Sequence, residues 1–395
     1  MLGDLADGHV GLLPSIHEPV RCGRARQAFP STAVAIFDKE GVVPTRTLVD
    51  WITDPNTCFL LGAGCSASDG KPLMSDLTAS IAEGLSEPCS TALGSLKGTY
   101  GRPPTIEDLL NFLLRTHQLL SSQLNPPKEV WTLDSVEKEI GQIESAIVRV
   151  FGSGWEPSPT YGGFLGRLAS AGGSAACDVF TLNYDTLLEA TLDDLKYRYV
   201  DGFRGGENAY FDPSTFEEMP EDRRVFRVFK LHGSVNWTRD EDQTVRRRPL
   251  KSLDAQTRIV VYPAEQKYIQ TQYGVYERLL GHFRDRLREN RQNNKLIVIG
   301  YSFGDEHINL AIEDSILTPG TNLTVLAFVG PEDDREAQEK RLADMARRCD
   351  HRFNAFIGNY ACVGPALDDE MARRMLALDA WKFEELVAVM TGGAA

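Results

Sequence analysis

The chain reads as an α/β protein built on a parallel sheet with helices on both faces. Three observations predict this. Short β-branched or aromatic runs alternate with longer stretches of helical periodicity, the pattern of βαβ units with right-handed crossovers. Four of the runs end in a polar or glycine-bearing segment: Gly62-Ala63-Gly64-Cys65-Ser66, Asn183-Tyr184-Asp185, His232-Gly233-Ser234 and Gly300-Tyr301-Ser302-Phe303-Gly304-Asp305. At 395 residues the chain can hold one large α/β domain and an accessory lobe. Strand C-termini in open parallel sheets converge on one crevice, where ligands bind. A Rossmann-like sheet with an inserted small helical lobe is therefore expected, with the four segments around one dinucleotide site.

Residues 1–45 form an irregular arm, punctuated by Gly3, Gly8, Gly11, Pro14, Pro19, Gly23 and Pro30. The main domain is expected over 46–360. Cys58–Leu61 is a strand, followed by the glycine turn and a helix around Ser75–Leu85. A helical insertion at about 101–160 comes next, entered through Gly101-Arg102-Pro103-Pro104. Thr105 with Asp108 matches a capping box, in which hydroxyl and carboxylate satisfy free N–H groups. Ile106, Leu109, Leu110, Leu113 and Leu114 then recur at helical spacing. Asn125-Pro126-Pro127 interrupts, and a second helix runs from about Ser135 with Val136, Ile140, Ile143, Ile147 and Val150 on one face. The two stripes read more readily as core than as partner surface. Short buried strands resume at Asp178–Leu182, Val225–Leu231, Arg258–Tyr262, Leu296–Ile299 and Leu323–Val329, with Arg352–Ile357 as an edge strand. Tyr184–Leu195 and Tyr276–Asn290 read as helices between them. Residues 361–395 are a C-terminal helical extension, with Asp368–Met390 as its helix.

Composition narrows the compartment and the partners. No apolar run approaches the roughly 20 residues of a membrane span. The segment Met1–Arg26 lacks a basic start and an apolar core, so a cytoplasmic protein without a signal peptide is expected. The formal net charge of −14 disfavours direct binding of nucleic acid, which needs basic surface to neutralise phosphates. Arg246-Arg247-Arg248 with Lys251 reads as a solvated loop before it reads as a basic patch. The 7 cysteines include no Cys-x-x-Cys pair, which argues against a zinc ribbon and fits a reducing compartment. No metal is expected.

Each segment offers a definite chemistry beside a bland alternative. Gly62 and Gly64, with Ala67 third, fit G-x-G-x-x-G/A: a tight turn, backbone approach to a pyrophosphate, and close helix packing. Ala63 lies inside the turn, and Ser66 adds a hydroxyl donor. Alone, this is equally a plain strand–helix turn. Asn183 places an amide at a strand end. Asp185 reads equally as a ribose contact and as a helix cap. His232 is the candidate general base, since imidazole titrates near neutral pH. Gly300 allows close approach, and Ser302 can bond phosphate or ribose. Asp305 reads first as a helix cap, and His307 with Glu306 forms no metal motif.

With these segments in hand, the chain resembles the sirtuin-like superfamily. Gly62-Ala63-Gly64-Cys65-Ser66 is similar to its nucleotide-binding turn. Thr181-Leu182-Asn183-Tyr184-Asp185 is similar to its Thr-Gln-Asn-x-Asp motif, with Leu182 replacing glutamine. Lys230-Leu231-His232-Gly233 resembles the His-Gly motif, and Gly300-Tyr301-Ser302 the segment holding the adenosine side. The resemblance departs from protein deacylases in two places. Gly70-Lys71-Pro72-Leu73-Met74-Ser75 lacks their phenylalanine and arginine, and a helical lobe stands where they carry a four-cysteine zinc lobe. Asn183–Glu189 and Gly300–Asn309 look like the bacterial branch that consumes NAD during anti-phage defence. Within it, a chain of this length is similar to subunits that act beside a HerA-type ATPase.

The resemblance implies an NAD+ hydrolase that releases nicotinamide and ADP-ribose, with NAD as substrate, and acts by depleting the cell's NAD. It implies that Asn183 and His232 are catalytic, Asn183 holding the nicotinamide ribose or the attacking water. Gly62, Ala63, Gly64, Ser66, Asp185, Gly300 and Ser302 would bind the nucleotide. A homo-oligomer is expected. The rival readings are a non-catalytic subunit that binds NAD or ADP-ribose, and an NAD-dependent deacylase.

Overall fold

The computed structural model describes residues 51–96, 103–122, 131–151, 156–171, 176–218, 225–250, 253, 259–261, 274–290, 293–350, 352–364 and 379–392. The expected N-terminal arm and the segment 365–378 lie outside them.

In chain order the elements begin with β1 (Thr57–Leu61), α1 (Gly64–Ala67), α2 (Met74–Ala82), α3 (Glu87–Ser95), α4 (Ile106–Ser121), α5 (Leu133–Phe151) and α6 (Pro159–Ser170). Next come β2 (Cys177–Thr181), α7 (Leu187–Asp194), β3 (Tyr199–Val200), β4 (Phe203–Arg204), β5 (Ala209–Phe211), β6 (Phe226–Lys230), β7 (Gly233–Arg239), β8 (Val245–Arg247) and β9 (Ile259–Val261). The chain then forms α8 (Val275–Arg288), β10 (Lys295–Ile299), α9 (Glu306–Leu317), β11 (Thr324–Val329), α10 (Arg335–Arg348), β12 (Phe353–Ile357), β13 (Ala361–Val363) and α11 (Phe383–Thr391).

An 8-stranded sheet in the order β13-β12-β11-β10-β1-β2-β6-β3 forms the centre. All its pairings are parallel except β12 with β13. From β1 the chain moves to β2 on one side and later to β10 on the other. The order therefore reverses between β1 and β10, the place where doubly wound sheets bind ligands. Every residue of β1, β2 and β10 is buried, as helices covering both faces require. Leu60, Phe180, Phe229 and Val298 pack on one face with Leu279 and Phe283 of α8, Ile312 of α9 and Leu342 of α10. Phe59, Leu61, Val179 and Ile297 pack on the other with Phe164 of α6, Leu188 of α7 and Phe383 of α11. This is the Rossmann-like arrangement expected.

The helical lobe has its own core. Thr105 donates its N–H to Asp108 at 2.7 Å, fixing the start of α4. Leu109, Leu113, Ile140 and Ile147 meet there, joined by Leu77 and Ile81 of α2 and Cys89 of α3. The stretch read around Ser75–Leu85 thus belongs to the lobe. A groove of about 680 Å³ between α2 and α5, lined by Ile81, Leu85, Glu137 and Arg149 among others, lies on the lobe and not at the sheet.

Three expectations need correction, the first being the helical extension from 361: Ala361–Val363 is a strand of the main sheet, and the described helix there covers Phe383–Thr391. Of Arg258–Tyr262, expected in the parallel sheet, Ile259–Val261 instead pairs antiparallel with β7. It belongs to a second, 5-stranded sheet ordered β4-β5-β8-β7-β9. Four of its five strands are only two or three residues long, too short for periodicity to register, and β4 and β5 are held as a local hairpin that pairs Phe203 with Phe211. The strand read at Arg352–Ile357 is not the edge, because β13 turns back and covers β12. No helix among the described residues is long and apolar enough to cross a membrane.

Candidate active site at the carboxyl edge of the sheet

The turns after β1 and β10 are built into each other. Gly64 N–H donates to Gly300 O, and Gly62 N–H to Ile299 O, both at 2.9 Å. A Cβ on Gly62 would stand 2.5 Å from Gly300 O, one on Gly64 2.7 Å from Gly300 Cα, and one on Gly300 2.7 Å from Cys65 N. Backbone packing between the two turns therefore accounts for these glycines, where the sequence suggested space for a pyrophosphate. Cys65 N–H and Ser66 N–H donate to Gly62 O and Ala63 O, so those groups are engaged within the turn. The expected phosphate cradle is not formed by them. Burial pushes the Cys65 thiol well up, keeping it protonated and a poor nucleophile.

Asn183 stands at the end of β2 and His232 at the end of β6. Thr181 pairs with Lys230 in parallel register, and each candidate follows its strand by two residues. Asn183 Nδ2 donates to Ser66 Oγ at 3.0 Å and to Tyr161 OH at 3.3 Å. Its other end, Oδ1, is buried without a partner among the described residues. Such an atom costs free energy unless something supplies a donor. Tyr161, on α6, was not visible as a site residue in the sequence, where it sits in no motif. Its phenol is pushed well up by burial, with the charges of Cys65 and Asp185 adding, so it stays a neutral hydroxyl.

His232 faces Asp305. Nε2 lies 2.9 Å from Asp305 Oδ2, both side chains nearly closed off from solvent at 7% and 6% exposure. Asp305 Oδ1 caps α9, accepting N–H groups from His307 at 2.9 Å and Ile308 at 3.4 Å. The helix cap read from the sequence is present, and the pairing with His232 comes in addition. Asp305 N–H donates to Tyr301 OH at 3.0 Å, and Asn309 Nδ2 to Phe303 O at 2.9 Å, holding the loop.

Tyr184 joins the two strand ends to the lobe. Its carbonyl accepts Val235 N–H at 3.0 Å and Ser234 Oγ–H at 3.2 Å, just beyond His232. The Tyr184 ring lies 6.3 Å from the His232 ring, centre to centre. Its hydroxyl donates to Glu107 in the first turn of α4. Burial first, then the charge of Glu107, pushes the phenol well up.

The remaining candidates lie around this group. Asp185 Oδ1 accepts Leu187 N–H at 3.1 Å, an Asx turn leading into α7, whose N-cap position is Thr186 and not Asp185. Behind it, buried Lys230 Nζ contacts Asp185 O and lies 3.0 Å from Glu189 Oε1. Burial raises the Glu189 carboxyl against the opposing pull of Lys230. Ser302 is exposed, while its carbonyl accepts a hydrogen bond from Arg341 Nη2 at 3.1 Å. The structure thus brings Ser66 and Asn183 into one cluster and pairs His232 with Asp305. Gly62, Gly64 and Gly300 shape the floor, and Ala63 and Ser302 lie at the surface. Among the described residues no three His, Cys, Asp or Glu are grouped to hold a metal.

The fold and this edge together define a doubly wound α/β protein with a candidate ligand site at the carboxyl ends of its strands. Residues 178–349 match the family model of the SIR2-like domain. The match contains Asn183, His232 and Asp305; the glycine turn after β1 and the helical lobe lie before it. Among solved structures the chain is similar to a Sir2 homologue in complex with NAD, at 13% identity and a TM-score of 0.36, over 78% of this chain and 93% of the other. No curated protein matches the chain.

Proposed function

We propose that the protein is an NAD+ glycohydrolase that cleaves NAD+ to nicotinamide and ADP-ribose. The observation that carries this reading is the placement of Asn183 and His232 at equivalent ends of neighbouring strands, with the buried amide oxygen of Asn183 lacking a partner among the described residues. A ribose hydroxyl or a water proton supplies the donor that this oxygen needs. His232 takes a proton from the attacking water as its oxygen bonds to the anomeric carbon. The nicotinamide ring leaves with the electron pair of the broken C–N bond, already neutralised, so no acid is required at the leaving group. The transition state is oxocarbenium-like, as in other glycoside cleavage.

Purified protein mixed with NAD+ and followed by chromatography tests the reading. His232→Ala should lower nicotinamide release roughly 10²–10⁴-fold, the usual cost of a positioned base. Asn183→Ala should do likewise. Wild-type turnover in His232→Ala removes the assignment. Binding without turnover in the native protein leaves an NAD- or ADP-ribose-binding subunit. Deacylation of acetyl-lysine peptides would revive the deacylase.

The resemblance extends this proposal to a cytoplasmic effector of anti-phage defence. NAD depletion harms the host as well, so such an enzyme must be restrained until triggered. A homo-oligomer working beside a HerA-type ATPase is the proposed arrangement. The partner shifts the resting form only by as much as it binds the active form more tightly. Native mass measurement should give a closed oligomer, and the ATPase should raise turnover. A fully active monomer indifferent to the ATPase contradicts it.

A further inference from the structure

We propose that Asp305 is a positioning residue for His232, fixing the tautomer and orientation of the imidazole and stabilising the cation it forms on taking a proton. The rate part of this proposal rests on the hydrolase reading; the structural part does not.

The two oxygens of Asp305 have separate tasks. Oδ1 caps α9 through His307 N–H and Ile308 N–H. A cap needs only that one oxygen. Oδ2 is buried and lies 2.9 Å from His232 Nε2. A second buried carboxylate oxygen is costly unless it is paired, so the pairing answers a requirement that capping does not create. The loop carrying Asp305 is fixed to an unusual degree. Phe303 is buried at φ +59°, a left-handed conformation that a non-glycine residue keeps only where its surroundings hold it. Tyr301 OH, itself beside Asn309 Oδ1 at 3.0 Å, receives Asp305 N–H and ties the loop to the second turn of α9. The carboxylate therefore cannot swing away from the ring.

The chemistry follows from which nitrogen is held. A carboxylate only accepts, so neutral His232 carries its proton on Nε2 and its lone pair on Nδ1. When the ring takes a proton, the imidazolium so formed lies with Nε2–H against Oδ2. This is the relation of the orienting aspartate to histidine in hydrolytic triads, reached here across two strands of a parallel sheet.

Asp305→Asn separates the two tasks. Asparagine caps helices about as well as aspartate, so the fold and melting temperature should hold. Its amide NH2 facing the ring makes Nε2 an acceptor and moves the proton to Nδ1, the wrong tautomer. In protein labelled with ¹⁵N at histidine, the ring assigned by its loss in His232→Ala should be Nε2–H in the native chain and Nδ1–H in Asp305→Asn. In the NAD+ assay kcat should fall roughly 10²–10⁴-fold, with KM changed less than about threefold. An Nδ1–H ring in the native chain, the same tautomer in both proteins, or an unchanged or raised kcat overturns the proposal. If the native protein, alone and with the ATPase, cleaves no NAD+, the hydrolase reading falls, and the tautomer measurement still decides the role of Asp305.

Discussion

Gly300 adopts φ +66°, and a Cβ there would lie 2.7 Å from Cys65 N, with Gly64 backbone equally close. Both the torsion and the space exclude a side chain, and the obstacles are backbone atoms that cannot rotate away. Gly300→Ala should therefore destabilise the fold by about 1–3 kcal/mol, measured by denaturant unfolding. A loss of NAD+ affinity with full stability would instead return this glycine to a ligand contact. At this scale the sequence marked positions that the structure brings to one sheet edge, and it missed the contacts that hold some of them there. Residue type and strand-end placement marked Asn183 and His232, because both properties are local. The reason for Gly62, Gly64 and Gly300 is a contact between turns about 240 residues apart, which no local pattern contains. The second task of Asp305 was hidden in the same way: its cap is local, its histidine is 73 residues distant.

Tyr184 follows the strand that carries Asn183, yet its hydroxyl reaches the first turn of α4. Its ring also meets Phe151 at the end of α5, 6.2 Å between centres. The lobe is thus attached to the sheet edge at the residue between the candidate catalytic groups. Tyr184→Phe keeps the ring contacts and removes the link to Glu107. Loss of one such bond should cost about 1–3 kcal/mol, because its acceptor is charged. Hydrogen exchange should quicken over the first turn of α4 and leave β2 unchanged. Unaltered exchange there would mean that the hydroxyl does not hold the lobe. Element type was legible wherever burial imposes a long period. Central strands read as continuous apolar runs because both faces are covered, and α4 and α5 read as stripes because one face is. The second sheet escaped because β4 is two residues long and β5 and β8 are three. The membership of α2 in the lobe was equally hidden, since an apolar stripe does not say which core it faces.

Across the whole molecule, stability should vary with pH partly through His282 on α8. Its ring packs against Phe216 at 5.1 Å and Phe229 at 5.5 Å. Burial first, then the charge of Arg227, holds its imidazole below the usual 6.5, while Asp285, Glu217 and Asp178 pull the other way. The unfolded chain therefore takes up this proton at higher pH than the folded one. The contribution of His282 is present above about 6.5 and is lost as pH falls through that value toward the folded one. His282→Phe should flatten the fall in melting temperature between pH 7 and pH 5. An identical fall in both proteins would place the pH sensitivity elsewhere.

The corner at His232 has a mechanical consequence. The large sheet releases the chain after Lys230, and the small sheet takes it up at Gly233, which sits at φ +80°. The imidazole thus hangs from a two-residue span clamped by a different ladder at each end. Its aim is set like that of a strut between two walls, and tilting either wall turns the ring. β7 is the inner wall, bonded to β8 on one side and β9 on the other. A substitution at Trp237 or Arg247, paired across β7 and β8 and away from His232 in the chain, would therefore reach the proposed reaction by turning that strut.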